Sequence, residues 1–205
     1  MHPEILDSNQ YKLLPLIEKF KREFYLVGGT AIALQLGHRQ SIDFDLFKTR
    51  SINKRKIFSQ IENQKLSCKN LYQESNQLHV LVNDVKLTFF EYGFEVPHPV
   101  WFEKVISMPT LIDLAAMKAY ALGRRAKWKD YVDLYLLLKN VCTLKEICIR
   151  SQQLFGELFS EKMLRQQLCY FKDIDLSEEV VYVKEEILKE TVENFLTEVA
   201  LNEIG

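Results

Sequence analysis

Residues 24–47 read FYLVGGTAIALQLGHRQSIDFDLF, with two adjacent glycines closing an apolar run and two aspartates, one residue apart, about fifteen residues later. Alternating side chains of a strand point to opposite faces. Asp43 and Asp45 therefore share one face of an expected strand over 41–47, with Ile42, Phe44 and Leu46 on the other. Two neighbouring carboxylates repel and desolvate poorly unless positive charge sits between them. An all-oxygen pair of this kind suits Mg²⁺ or Mn²⁺ rather than zinc. The plainer alternative is two aspartates facing water at a sheet edge.

The glycines weigh against that alternative. Gly28-Gly29 lies where a short buried strand, FYLVG, passes into a helix, TAIALQL, with Thr30 available as its cap. A residue without Cβ lets the backbone approach an anion, and a helix start offers unpaired N–H groups and a favourable dipole. One strand ending in a phosphate cradle and the next presenting metal-binding acids is an arrangement for a nucleoside triphosphate with its Mg²⁺.

The rest of the chain alternates between the two periodicities in two blocks. Residues 11–23 read as a helix, Asn53 caps another to about Gln64, and strands follow over 66–75, 77–83 and 85–94, with Asn83-Asp84 as a turn. Pro97 and Pro99 end that sheet. From Met108 the pattern is helical: 109–125, 129–140, 143–155, 157–171 and 178–204. The expected fold class is α+β, an α/β domain over 1–105 followed by an all-helical domain over 106–205.

Composition bounds the setting. Hydrophobic residues at 47% and charged residues at 27% describe a globular chain. No apolar run reaches the ~20 residues of a membrane-crossing helix, and MHPEILDSNQ lacks a signal-peptide core, so a cytoplasmic protein without a membrane partner is expected. Four cysteines without a CxxC pair are expected as free thiols, and scattered histidines exclude a His/Cys zinc site. The net charge of −1 is uneven: residues 173–205 hold ten acids against Lys184 and Lys189, a balance of −8, leaving +7 on residues 1–172. A basic body with an acidic tail suggests a polyanionic partner, or simply solvated faces of opposite sign.

An apolar residue, two glycines, about a dozen residues and Asp-apolar-Asp together resemble the signature of the DNA polymerase β-like nucleotidyltransferases. The string GGTAIALQLGHRQSIDFDLF is similar to the AbiEii/AbiGii toxin branch, with its His-Arg before the acidic strand. The resemblance continues at VKLTFFEYGF (85–94) and DLAAMKAYALGRRAKWKDYVDLYLLL (113–138), covering about residues 20–140. It implies a minimal nucleotidyltransferase fold, a mixed sheet flanked by helices, joined to a helical domain. It also implies transfer of a nucleotide from an NTP to an acceptor, the 3′ end of tRNA in related toxins, with a cognate antitoxin as partner.

In these terms Asp43 and Asp45 hold the metal. Gly28, Gly29, Thr30, His38, Arg39, Ser41 and Lys86 form the nucleotide-binding set. Thr88 stands where superfamily enzymes carry a third acid; Asp84 shares its face but sits in the turn, and Glu91 is on the other face. The toxin branch relies instead on a lysine and acids of the helical domain, placing Lys118, Asp130 and Asp133 in the cleft. Lys118 would contact triphosphate oxygens, or else snorkel to the surface. Asp130 and Asp133 share a helix face: one takes the acceptor's proton or holds Lys118, and Asp130 could equally cap its helix. Lys86 either binds phosphate or solvates a strand, and His38-Arg39 either contacts the nucleotide or caps the sheet.

Two basic clusters favour RNA as acceptor. Lys48, Arg50, Lys54, Arg55 and Lys56 follow the acidic strand; Lys118, Arg124, Arg125, Lys127 and Lys129 precede Asp130 with Trp128 among them, either a stacking face or a core residue. The same residues leave open a catalytically silent nucleotide-binding or antitoxin-type module, and a transferase acting on a small molecule.

Overall fold

The computed structural model describes residues 1–122 and 124–202. The chain divides into two compact units, Met1–Thr110 and the remainder from Leu111.

The first unit opens with α1 (Ser8–Glu18), where Asp7 and Gln10 form a capping box. The helix stops at Glu18, short of the expected 23, and Lys19–Phe24 tighten into turns closed by bonds such as Phe20 N–H to the Ile17 carbonyl. Next come β1 (Tyr25–Val27), α2 (Gly28–Leu36), β2 (Asp43–Lys48) and α3 (Lys54–Asn63). Asn53 caps α3 by accepting from Lys56 N–H, as its position in sequence implies. Three strands follow: β3 (Cys68–Glu74), β4 (Gln77–Val82) and β5 (Val85–Glu91).

These strands form one sheet in the order β1-β2-β5-β4-β3. Only β2 and β5 run parallel; the other pairs are antiparallel. Asn83 and Asp84 both take left-handed φ, 46° and 66°, the geometry of a two-residue hairpin. That turn sets Val82 opposite Val85 and carries the register on to His79 opposite Thr88.

One sheet face is apolar. Leu26, Phe44, Leu46, Leu78, Val80, Val82, Leu87 and Phe89 are at most 1% exposed. Phe20 and Phe24 meet Phe89 edge-on at 4.9 and 5.3 Å between ring centres. Burying each such side chain contributes about 1.5–3 kcal/mol, so this face fixes which way every other strand residue points. A small hairpin, β6 (Val100–Phe102) with β7 (Ile106–Met108), completes the unit. It was absent from the sequence-based expectation, because its strands are three residues long and its turn uses Glu103 at φ 50° where glycine or asparagine would signal it.

The second unit comprises α4 (Leu111–Leu122), α5 (Trp128–Asn140), α6 (Leu144–Phe155), α7 (Glu161–Leu168) and α8 (Lys189–Asn202). Thr143 and Glu146 form a capping box for α6, and Ser160 caps α7. The helix expected from residue 178 begins only at Lys189. Val180, Val181 and Val183 are β-branched and lose side-chain freedom in a helix, and the chain before them is bound elsewhere, as described below. The expected helical assignment of Gly123, Glu203 and Ile204 lies outside the described residues. The architecture is thus α+β: a mixed sheet flanked by helices, then a helical unit. Among the described residues no helix is long and apolar enough to cross a membrane.

Candidate active site

The two glycines have separate reasons. Gly28 has φ +71°, and a Cβ built on it would lie 2.4 Å from Asp45 Oδ2. The β1–β2 register places Val27 opposite Asp45, which brings that carboxylate onto the bend. Any larger residue at 28 would displace the acid and strain the backbone. A Cβ at Gly29 would instead lie 2.4 Å from Arg39 Nη2 and 3.4 Å from Ser41 Oγ. The strand-to-helix turn is therefore pressed between an aspartate and a buried guanidinium.

The buried polar residues behind the turn hold this arrangement. Thr30 does not cap α2: the helix begins at Gly28, after Val27, with no side-chain cap. Instead the Thr30 hydroxyl donates to the Asp43 carbonyl oxygen and lies 2.8 Å from Ser41 Oγ, tying α2 to the start of β2. Arg39 is 2% exposed and donates from Nη1 to the Gln40 carbonyl. His38 and Ser41 are buried with it, and Arg39 and Ser41 brace the turn behind Gly29.

Asp43 and Asp45 lie on the polar face of the sheet, partly exposed, and the β2–β5 register sets Lys86 opposite Asp43 and Thr88 opposite Asp45. Lys86 Nζ stands 3.7 Å from Asp43 Oδ2. Thr88, mostly buried, stands on β5 where the resemblance implies a third acid, and a hydroxyl is a weaker ligand than a carboxylate. Among the described residues no group of three or more His, Cys, Asp or Glu side chains forms a metal site. Mg²⁺ nevertheless fits the donor set, since it is commonly held by one or two carboxylates with substrate phosphates and water completing the shell.

His79 was missing from the expected site. It sits opposite Thr88 on the same face, and burial, then the Lys86 ammonium, holds its pKa below the ordinary imidazole value against the pull of Asp45 and Asp43. The alternation of QLHVLV together with the Asn83-Asp84 turn was enough to place it.

The helical unit holds its own cluster. Lys118 Nζ donates to Asp130 Oδ1 at 2.6 Å and lies 3.0 Å from Asp133 Oδ2; Arg125 Nε reaches Asp130 Oδ2 at 3.2 Å. Lys118, Asp130 and Asp133 are all buried. Of the expected alternatives, the acids hold Lys118; the lysine does not snorkel, and Asp130 is not the cap of α5, which is Lys127.

The second basic cluster is largely matched by acids of the same chain. Lys127 and Lys129 pair with Glu178, the latter at 3.4 Å. Asp175 forms a parallel bridge with Lys127, accepting from Trp128 N–H at 3.1 Å and donating to the Ala126 carbonyl at 2.7 Å. Trp128 is a core residue, 9% exposed. In the first cluster Lys48 and Lys56 pair with Glu23, and Lys54 donates to the Glu74 carbonyl, while Arg50 and Arg55 are exposed.

No protein-family model matches the sequence. The chain is 36% identical over 183 residues, 84% of this chain and 84% of the other, to the uncharacterized protein aq_aa25 of Aquifex aeolicus. Among solved structures it is similar to MenT4, a nucleotidyltransferase toxin of Mycobacterium tuberculosis, with a TM-score of 0.64 at 12% identity, covering 95% of this chain and 83% of that one. It is also similar to JHP933 of Helicobacter pylori, with a TM-score of 0.56 at 17% identity over 95% and 91% of the two chains. A third similar structure is the antibiotic-resistance factor ANT(2'')-Ia, with a TM-score of 0.53 at 13% identity over 72% and 91%. The chain therefore belongs to one family with aq_aa25, and it shares its fold with MenT4, JHP933 and ANT(2'')-Ia.

Proposed function

We propose that the protein is a Mg²⁺-dependent nucleotidyltransferase that moves a nucleotide from an NTP to the 3′ end of tRNA, acting in the cytoplasm as the toxin of a toxin–antitoxin pair. The observation that carries the reading is the Asp45 carboxylate seated against Gly28 at the start of α2. It brings together the two things a triphosphate and its cation need: acid oxygens for the metal and helix-start N–H groups for the phosphates. Asp43 and Asp45 would hold Mg²⁺, or Mn²⁺, which when bound offsets the charge of the triphosphate.

The chain's own residues do the rest. The Gly28–Thr30 amides bind phosphate, with Thr30, Ser41 and Arg39 fixing the turn behind them. Lys86, close to Asp43 and partly exposed, reaches phosphate oxygens or the leaving pyrophosphate. Asp130 and Asp133 hold Lys118, which steadies α4 against α5. Support for a toxin acting on RNA comes from the fold shared with MenT4, described as a nucleotidyltransferase toxin, and from the exposed Arg50 and Arg55 beyond β2. All four cysteines are free thiols, in keeping with a reducing compartment.

Thr88 favours a second reading, a nucleotide-binding or antitoxin-type module without transfer. The test is to incubate wild type and Asp45→Ala with Mg²⁺, each labelled NTP in turn, and total tRNA or protein alone. Label entering RNA with wild type only supports the proposal. NTP binding without transfer supports the silent module, and label on a small acceptor replaces tRNA as the substrate.

A further inference from the structure

The missing third acid leaves the proposed reaction without a base for the acceptor hydroxyl, and β4 offers one. His79 lies opposite Thr88, which lies opposite Asp45, so the three stand in line across β4, β5 and β2 on one face. Side chains at such paired positions project together.

The hydrogen bonds around His79 point to one tautomer. Glu74 Oε2, a carboxylate oxygen and so an acceptor, faces Gln77 Nε2 at 3.4 Å. That fixes the orientation of the Gln77 amide and turns its Oε1 towards His79 Nε2, 3.3 Å away. Since Oε1 can only accept, His79 Nε2 carries the hydrogen and Nδ1 carries the lone pair. The Tyr72 ring meets the imidazole edge-on at 5.5 Å and 89°, limiting its rotation. Glu74, Gln77 and Tyr72 thus orient the His79 imidazole on the sheet face that carries Asp43 and Asp45, with Thr88 between them.

We propose that His79 Nδ1 is the general base that takes the proton of the acceptor hydroxyl, standing in for the acid replaced by Thr88. This rests on the nucleotidyltransferase reading. In the step, the acceptor O–H bond breaks with its proton passing to Nδ1. The oxygen's electron pair forms the new bond to the α-phosphorus, and the α–β bridging P–O bond breaks as pyrophosphate departs. His79 then returns its proton to solvent. The charged and titratable groups facing it are Lys86 on β5, Asp43 and Asp45 on β2, and Tyr72 and Glu74 on β3. Burial and Lys86 together favour the neutral ring, the form a base requires.

The experiment compares transfer by wild type, His79→Ala and His79→Gln with their NTP affinity and thermal midpoint, and reads the ring tautomer of wild type and Gln77→Leu by ¹⁵N NMR. The expected result is a fall in kcat of about 100-fold or more in both His79 variants, with NTP affinity retained. Added imidazole restores part of the rate to His79→Ala, and the acid limb of the wild-type pH profile disappears in it. Wild type shows hydrogen on Nε2, and Gln77→Leu loses that preference. Wild-type transfer with undiminished transfer by folded His79→Gln overturns the base assignment and leaves the transferase standing. Hydrogen on Nδ1 in wild type overturns it as well. Absence of wild-type transfer to any acceptor removes both the base and the reading beneath it.

Discussion

Asp45 Oδ2 occupies the space that a side chain at Gly28 would need: a Cβ there would lie 2.4 Å from it. The acid and the glycine are thus a single device, in which a left-handed turn and a carboxylate fill one volume. Gly28→Ala is expected to cost about 1–2 kcal/mol from the backbone alone, with the displaced carboxylate adding to it. Urea denaturation reads the stability loss. Transfer should fall further than Gly29→Ala produces, since that substitution meets the end of the Arg39 side chain instead of the acid.

Lys118 lies between two buried carboxylates, and its removal takes away the cation that both share. Lys118→Ala is expected to destabilise the protein by about 3–5 kcal/mol, a magnitude typical of breaking a buried pair. Asp133→Asn, which keeps the shape and removes one charge, should cost less. If Lys118 acted only on the nucleotide, the substitution would lower transfer while leaving the denaturation midpoint in place.

Much of the first unit could be read before its coordinates. The period-two pattern of β2, β4 and β5 is strong because one face is wholly apolar, and a one-residue slip would turn Phe44, Val80 and Leu87 to water. The same alternation put Asp43 and Asp45 on one face. Side-chain partners were not legible in this way. Arg39 stands in a polar stretch and gives no periodic signal, so its burial behind Gly29 follows only from the path of the chain between α2 and β2. Thr30 is placed like a helix cap in sequence, but the helix starts two residues earlier, and its hydroxyl is taken by β2. Residues 178–188 were misread as the start of the last helix; the chain just before them is held where the Ala126 carbonyl and Trp128 amide capture Asp175 in a strand-like bridge.

Thiol chemistry offers an independent check of burial. The Cys142 thiol is pushed up to about 11 by burial and by Glu146, whereas Cys68 and Cys169 are exposed. Only the thiolate reacts, so at pH 8 iodoacetamide should modify Cys68 and Cys169 well before Cys142. Mass spectrometry of peptides sampled over time gives the order. Equal rates at Cys142 and Cys169 would contradict the placement of the α5–α6 turn.

The Glu178 contacts should weaken in acid, with a sign that can be worked out. The hydrogen bond from Lys127 is the largest influence holding the Glu178 carboxyl below its ordinary value of 4.5, and Lys129 acts in the same direction. A depressed carboxylate stabilises the fold while ionised, fully above the unfolded-state value, and that contribution is lost as pH falls through the lower folded value. At pH 7 Glu178→Gln should therefore be less stable than wild type by up to about 1 kcal/mol, a bound set by the solvent screening of a side chain this exposed. The difference should begin to shrink as pH drops below 4.5 and should also shrink at high salt, where exposed pairs are screened. Urea midpoints of both proteins across that range provide the measurement. A gap that persists unchanged in acid and in salt would mean that residue 178 matters for packing, and that the acidic segment is held to Ala126–Trp128 by its backbone bridge alone.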